Sequence, residues 1–132
     1  MKGYLFSAAL FGITAVGLGA FGAHGLKDTL LAHSSTAIWQ TAALYHLVHS
    51  VALLAISLFL AATLAGNAQN AVISPWFGRA AICWVIGIGL FSGSLYVLAL
   101  GGPRWLGSVT PLGGVALIAG WGCLFLTAPK KS

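Results

Sequence analysis

The run from Tyr45 to Ala65, YHLVHSVALLAISLFLAATLA, decides the fold. It contains no charged residue. About 20 apolar residues in an α-helix are enough to cross the ~30 Å hydrocarbon core of a bilayer. Three more runs of the same kind follow from reading outward, Tyr4 to Leu26, Ala80 to Leu100 and Pro111 to Ala128. A transmembrane β-barrel would instead need alternating segments of ~10 residues, and these runs are long and uninterrupted. The expected architecture is an all-α integral membrane bundle of four transmembrane helices, at roughly 4–26, 37–65, 80–100 and 111–128. Ser34-Ser35-Thr36 offers N-caps, so the second helix is expected to start near Ala37 and overhang the bilayer. The polar stretch Gly66 to Asn70 with Ser74-Pro75, and the breaker Gly101-Gly102-Pro103, separate the later helices. No linker divides residues 1–132, so a single transmembrane domain is expected.

Composition agrees with that reading. Hydrophobic residues make up 59% of the 132 and charged residues only 5%, where a soluble domain carries about 25% charged residues. The mean hydropathy is +0.98. A surface so poor in charge has to face lipid. Asp28 is the only carboxylate, which excludes the paired carboxylates of glycoside hydrolysis, an acidic cage for calcium or magnesium and the Asp/Glu relays of proton pumps. The formal net charge is +5, yet the basic residues stand one or two at a time between apolar runs. Nucleic-acid binders cluster them on one face, so no nucleic-acid partner is expected, and the lipid bilayer is.

The basic residues do set an orientation. With four spans, Lys2, Arg79, Lys130 and Lys131 share one side, while Lys27 and Arg104, offset by Asp28, lie on the other. The positive-inside rule then places both termini in the cytoplasm. Trp39 and Trp105 are expected as interfacial anchors at the outer edge and Trp76 at the inner one. The start, Met1-Lys2-Gly3 before an apolar run, imitates a secretory signal; the run exceeds a signal's apolar region, so an uncleaved first helix is expected.

Helices in lipid associate through close packing of small residues. Gly89 and Gly93 form a GxxxG in the third run, Ala15, Gly19 and Ala23 continue the pattern in the first, and Ala116 and Gly120 in the fourth. Packing within the bundle is the expectation for Gly89 and Gly93, with self-association or docking in a larger membrane complex as the other use. On the first reading Gly93→Leu disrupts the bundle.

Few residues carry chemistry. Gly17 to Gly22 matches GxGxxG, but a dinucleotide site needs a preceding strand and a later acidic residue, and these glycines lie within a span. Cys83 and Cys123 have no metal-type spacing and read as small apolar fillers. The histidines are more informative. His24 closes the first run, and His46 and His49 open the second. Thr41, Tyr45 and His49 form one stripe at i, i+4 spacing, while His46 lies off it and is expected to face the head groups. Ser92, Ser94 and Tyr96 lie in the outer half of the third run, and Thr110 opens the fourth. All of these are expected near the outer end of the bundle, and His24, Tyr45, His49 and at least one of Ser92 and Ser94 are expected to converge there. Three uses fit them: hydrogen-bonded glue between helices, a pocket for a lipid, quinone or other small amphiphile, and haem or metal ligation by the imidazoles. No carboxylate is available to orient such ligands or to complete a hydrolytic triad. No catalytic residue, metal site or cofactor is therefore assigned.

Four stretches together carry a resemblance. They are Gly19-Ala-Phe-Gly-Ala-His-Gly-Leu26, Trp39-Gln-Thr-Ala-Ala-Leu-Tyr-His46 running on to His49, Leu90-Phe-Ser-Gly-Ser-Leu-Tyr96, and Thr110-Pro-Leu-Gly-Gly114 with Gly120-Trp121. In this order they resemble the YgdD-type family of small inner-membrane proteins, the group that also includes human transmembrane protein 256. The resemblance implies a four-helix, multi-pass protein of the bacterial inner membrane. It implies no activity, since that family is known as a domain of unknown function. The expected role is a small non-enzymatic membrane component, accessory or structural; the alternative is a binder of a lipid, quinone or haem through the outer polar cluster.

Overall fold

The computed structural model describes residues 2–66 and 73–128, and every regular element among them is helical. In chain order these are α1 (Lys2–Ala23), the short α2 (Lys27–Ala32), α3 (Thr36–Ala65), α4 (Trp76–Gly87), a π-helical turn at Ile88–Ser92, α5 (Gly93–Ala99) and α6 (Leu106–Phe125). The segment Trp76–Ala99 runs as one span through the π turn. Four helices are thus long enough to cross a membrane, and each carries a mean hydropathy of 1.5 or more. α3, with 30 residues, is about 45 Å long at ~1.5 Å per residue, longer than the ~30 Å hydrocarbon core, and it begins at Thr36 with no side-chain cap from Ser35. The polar loop at 67–70 and Lys130 and Lys131 lie outside the described residues.

The boundaries differ from the expected ones for identifiable reasons. α1 stops at Ala23, and His24 to Leu26 form a turn in which the Leu26 N–H donates to the Phe21 carbonyl at 2.9 Å. The chain then makes one more short helix, α2, which tucks Leu30 into the bundle. Sequence alone reads that stretch as loop, because six residues show no period. The fourth helix begins at Leu106 and carries Pro111 inside it. Proline favours the first turn, which is why the run read from Pro111. Inside the helix it leaves the Gly107 carbonyl without its i−4 donor; the Thr110 hydroxyl donates to the Leu106 carbonyl at 3.2 Å.

Two buried tryptophans organise two cores. Trp84 is fully buried among Leu53, Ile56, Ala81, Ile88 and Leu117. Trp39 is buried with Leu30, Ala42, Tyr96 and Ala99. Trp39 is therefore a core residue, a correction to the expectation of an interfacial anchor. Both use the same device. The Trp39 Nε1–H donates to the Leu18 carbonyl at 2.9 Å, and its ring lies over Gly22, where a Cβ would collide with it. The Trp84 Nε1–H donates to the Leu117 carbonyl at 3.2 Å, and its ring lies over Gly120. An indole can lie this close to a neighbouring backbone only where that backbone has no side chain. Trp105 is 66% exposed, and Trp76 stacks under the Arg79 guanidinium, 4.3 Å from its ring centroid.

Gly113 makes another close approach, to the backbone of Leu90 and Phe91 in the π turn. Gly89 and Gly93 are different. A Cβ on either would meet nothing within 4 Å. The GxxxG of the third span is thus not a packing face inside the bundle, which corrects the first expectation for it. Spacing finds small residues but does not say which side of the helix the chain itself covers.

Candidate functional site

The polar residues within the spans are held by short-range choices in each helix. His46, His49, Ser50 and Ser57 fall on the buried side of α3. The Ser50 and Ser57 hydroxyls donate to carbonyls four residues back, of His46 at 2.6 Å and Leu53 at 2.7 Å, which removes their only protons from competition. The two imidazoles point into the bundle and reach other spans.

His46 joins three helices. Its Nδ1 lies 3.2 Å from the Tyr96 hydroxyl on α5, and its Nε2 lies 3.3 Å from the Thr14 hydroxyl on α1. The Thr14 hydroxyl donates to its own helix, at the Leu10 carbonyl 2.9 Å away, so it accepts from Nε2–H. Tyr96 then donates to Nδ1. His49 carries its proton on the other nitrogen. Its Nδ1 is 2.7 Å from the Tyr45 carbonyl, which can only accept. Its Nε2 is 3.1 Å from the Trp121 Nε1–H, which can only donate. The network therefore assigns opposite tautomers to the two rings, with both nitrogens engaged in each. Neither ring offers a free nitrogen to a haem iron or a quinone carbonyl.

The other expected residues divide between these groups and the surface. The Ser92 hydroxyl donates to the Ala42 carbonyl at 2.9 Å and ties the third span to α3. Ser94 and Thr110 share a 2.7 Å hydrogen bond between α5 and α6. The Tyr45 ring stacks near His49 and Phe91, at centroid distances of 6.0 and 4.8 Å, but is itself 42% exposed. Thr41 is exposed and bonds back to the Ala37 carbonyl. His24 lies exposed in the turn after α1 and takes no part in the cluster. His33 is exposed, with its ring beside Gly101.

The picture of a single cluster with an inward Thr41/Tyr45/His49 stripe and an outward His46 is thereby corrected. The buried stripe of α3 runs through Trp39, Ala42, His46, His49 and Leu53, and Thr41 and Tyr45 are on its edge. The depth differs as well. Thr14 lies near the middle of α1, and His49 is about 20 Å along α3 from Thr36 at ~1.5 Å per residue, so the network reaches the centre of the spans. Thr14 and Trp121 are the partners that sequence reading missed. A threonine amid apolar residues was the available signal for Thr14; nothing in the sequence pairs Trp121 with His49, 72 positions away.

Among the described residues, every buried side-chain nitrogen and oxygen has a hydrogen-bond partner. In hydrocarbon an unpaired polar group costs several kcal/mol, so closure of this kind is what a stable bundle requires. No three His, Cys, Asp or Glu among the described residues come close enough to hold a metal ion. One polar-rimmed groove lies apart from the network. It measures about 420 Å³, between α1, α2 and the start of α3, and Lys27, Thr36 and Gln40 are part of its lining.

A family model described as a protein of unknown function, DUF423, matches residues 18–114. A UPF0382 membrane protein of Staphylococcus epidermidis is 41% identical over 132 residues, covering 98% of each chain. The UPF0382 membrane protein YwdK of Bacillus subtilis is 39% identical, again over 98% of each. The UPF0382 inner membrane protein YgdD of Escherichia coli is 40% identical over 124 residues, or 94% of this chain and 87% of that one. No solved structure matches.

Proposed function

We propose that this chain, which belongs to the DUF423 family of proteins of unknown function, is a non-enzymatic, multi-pass component of the inner membrane with both termini on the cytoplasmic side. The location follows the similarity to YgdD, whose name states it. The orientation rests on the charge asymmetry across the spans; a C-terminal reporter active only outside the cytoplasm should stay silent, and activity would reverse the assignment.

The observation that supports a non-enzymatic role is the closed hydrogen-bond network. His46, His49, Ser92 and Tyr96 are the groups that could act on a substrate, and each is occupied by another helix of the same chain. Such bonds in membrane proteins contribute on the order of 1 kcal/mol each. Tyr96→Phe and His46→Phe should each lower thermal stability in detergent by about that amount. Together they should cost less than their sum, because either one already breaks the shared bond. Variants that melt like the parent would release these residues from a structural role and reopen a chemical one.

Gly89 and Gly93 favour a second component of this reading, self-association. A paired GxxxG whose face the chain itself leaves open suits close approach of another helix. Gly93→Leu should leave the melting temperature of the isolated chain unchanged and abolish the dimer captured by cross-linking in membranes. A lowered melting temperature, or an unchanged dimer, would count against this use of the face.

A further inference from the structure

We propose that the groove between α1, α2 and α3 is a binding site for one anionic phospholipid, with its phosphate head at Lys27 and the start of an acyl chain lying on Gly19 and Ala43. The site is separate from the histidine network and does not depend on the role assigned to it. Its volume, about 420 Å³, falls in the range of small-molecule sites, roughly 300–1,000 Å³.

The lining is graded by depth. Lys27 opens α2, just beyond the end of α1, and Thr36 opens α3, so both stand at the membrane edge. Gln40 is one turn further in. Gly19 on α1 and Ala43 on α3 are deeper again, about two turns from Thr36 in the case of Ala43. The polar end of the groove therefore faces the head-group layer and the apolar end faces the hydrocarbon. That gradient matches a molecule with a head and a tail.

The polar end also selects the head. Lys27 can only donate, and brings a positive charge; Thr36 and Gln40 can donate as well. A head rich in acceptor oxygens and carrying negative charge complements this set, and a phosphodiester has both properties. α2 makes the outer wall. It is too short to span anything, and it turns Leu31 outward, 58% exposed, beside the groove. An exposed leucine on the wall of the groove is in place to cover an acyl chain. The floor is bare because Gly19 has no side chain: a Cβ there would meet nothing within 4 Å. A side chain added at position 19 thus starts in the groove, with its Cβ clear of the protein.

Native mass spectrometry of the full chain in detergent, titrated separately with phosphatidylglycerol and phosphatidylcholine, tests the proposal. The parent should retain one phosphatidylglycerol in preference to phosphatidylcholine. Lys27→Gln should weaken retention of the anionic lipid about fivefold, the effect of one basic residue at a charged membrane surface, and remove the preference. Gly19→Leu should abolish retention of both lipids while the melting temperature holds. Equal retention of the two lipids by the parent, or by Lys27→Gln and the parent, would overturn the phosphate assignment. Undiminished retention by a folded Gly19→Leu would place the lipid elsewhere. Should Gly19→Leu melt early, Lys27→Gln on the surface decides alone. A preference for a neutral quinone or a fatty acid over phosphatidylglycerol would also defeat the assignment.

Discussion

Gly113→Ala is expected to destabilise the bundle by about 3 kcal/mol, at the upper end of the usual cost of overpacking. The added methyl would meet the Phe91 nitrogen, the Leu90 carbonyl carbon and the Phe91 Cα. All three are backbone atoms, and they sit in the π-helical turn at Ile88–Ser92. A flexible side chain could swing aside; this backbone cannot move without shifting Ser92, whose hydroxyl is fixed on the Ala42 carbonyl. The π turn closes i→i+5 hydrogen bonds in place of i→i+4, and its backbone at Leu90 and Phe91 is what faces Gly113. Gly122→Ala in the same helix is the control, because a Cβ there meets nothing within 4 Å. Alanine is the better helix former by about 1 kcal/mol, so Gly122→Ala should be neutral or stabilising. Thermal melting in one detergent compares the two. Equal melting temperatures would mean that α6 does not approach the third span as closely as described.

The contrast between these glycines shows what was legible in the sequence and what was not. Hydropathy alone located four spans, because the cost of exposing charge to lipid governs every residue in them. Their ends were less legible. Pro111 marks a helix start in most contexts, yet α6 begins at Leu106 and carries the proline inside it. Among the glycines, GxxxG spacing pointed to Gly89 and Gly93. Within the helices the tight contacts are at Gly22, Gly87, Gly113 and Gly120, which face aromatic rings, Leu117 or the π turn. Whether a small residue is needed depends on what lies opposite it, and a single sequence does not contain that.

The polar network was legible in part for the same reason. His46, His49, Ser92, Ser94 and Tyr96 stand out because polar side chains in apolar runs must find partners. Helical spacing then grouped His49 with Thr41 and Tyr45. The buried stripe of α3 is instead centred between His46 and His49, since both spans α1 and α5 pack on that side. His24 was drawn in by chain order alone. The turn after Ala23 carries it out of the bundle.

The second large effect is expected at Trp84. Trp84→Ala removes a fully buried indole and should cost about 3–5 kcal/mol, the range for aromatic deletions that leave a cavity. The cavity would open beside Trp121, whose ring centroid is 4.8 Å from that of Trp84, and beside His49, 6.2 Å away. It would therefore loosen the His49–Trp121 bond along with the packing. Gly120→Ala should cost about 1–3 kcal/mol in the parent, because the methyl would enter the space of the Trp84 ring. In the Trp84→Ala background that ring is gone. Gly120→Ala should then be neutral, or gain slightly from filling the void and from helix propensity. The double variant should thus be more stable than the sum of the two losses predicts, by a coupling of about 1–3 kcal/mol. Thermal melting of the four proteins in the same detergent measures it. Strict additivity would show that Trp84 does not rest on Gly120, and the pairing of an indole with a glycine backbone would be lost as the device that joins the third and fourth spans.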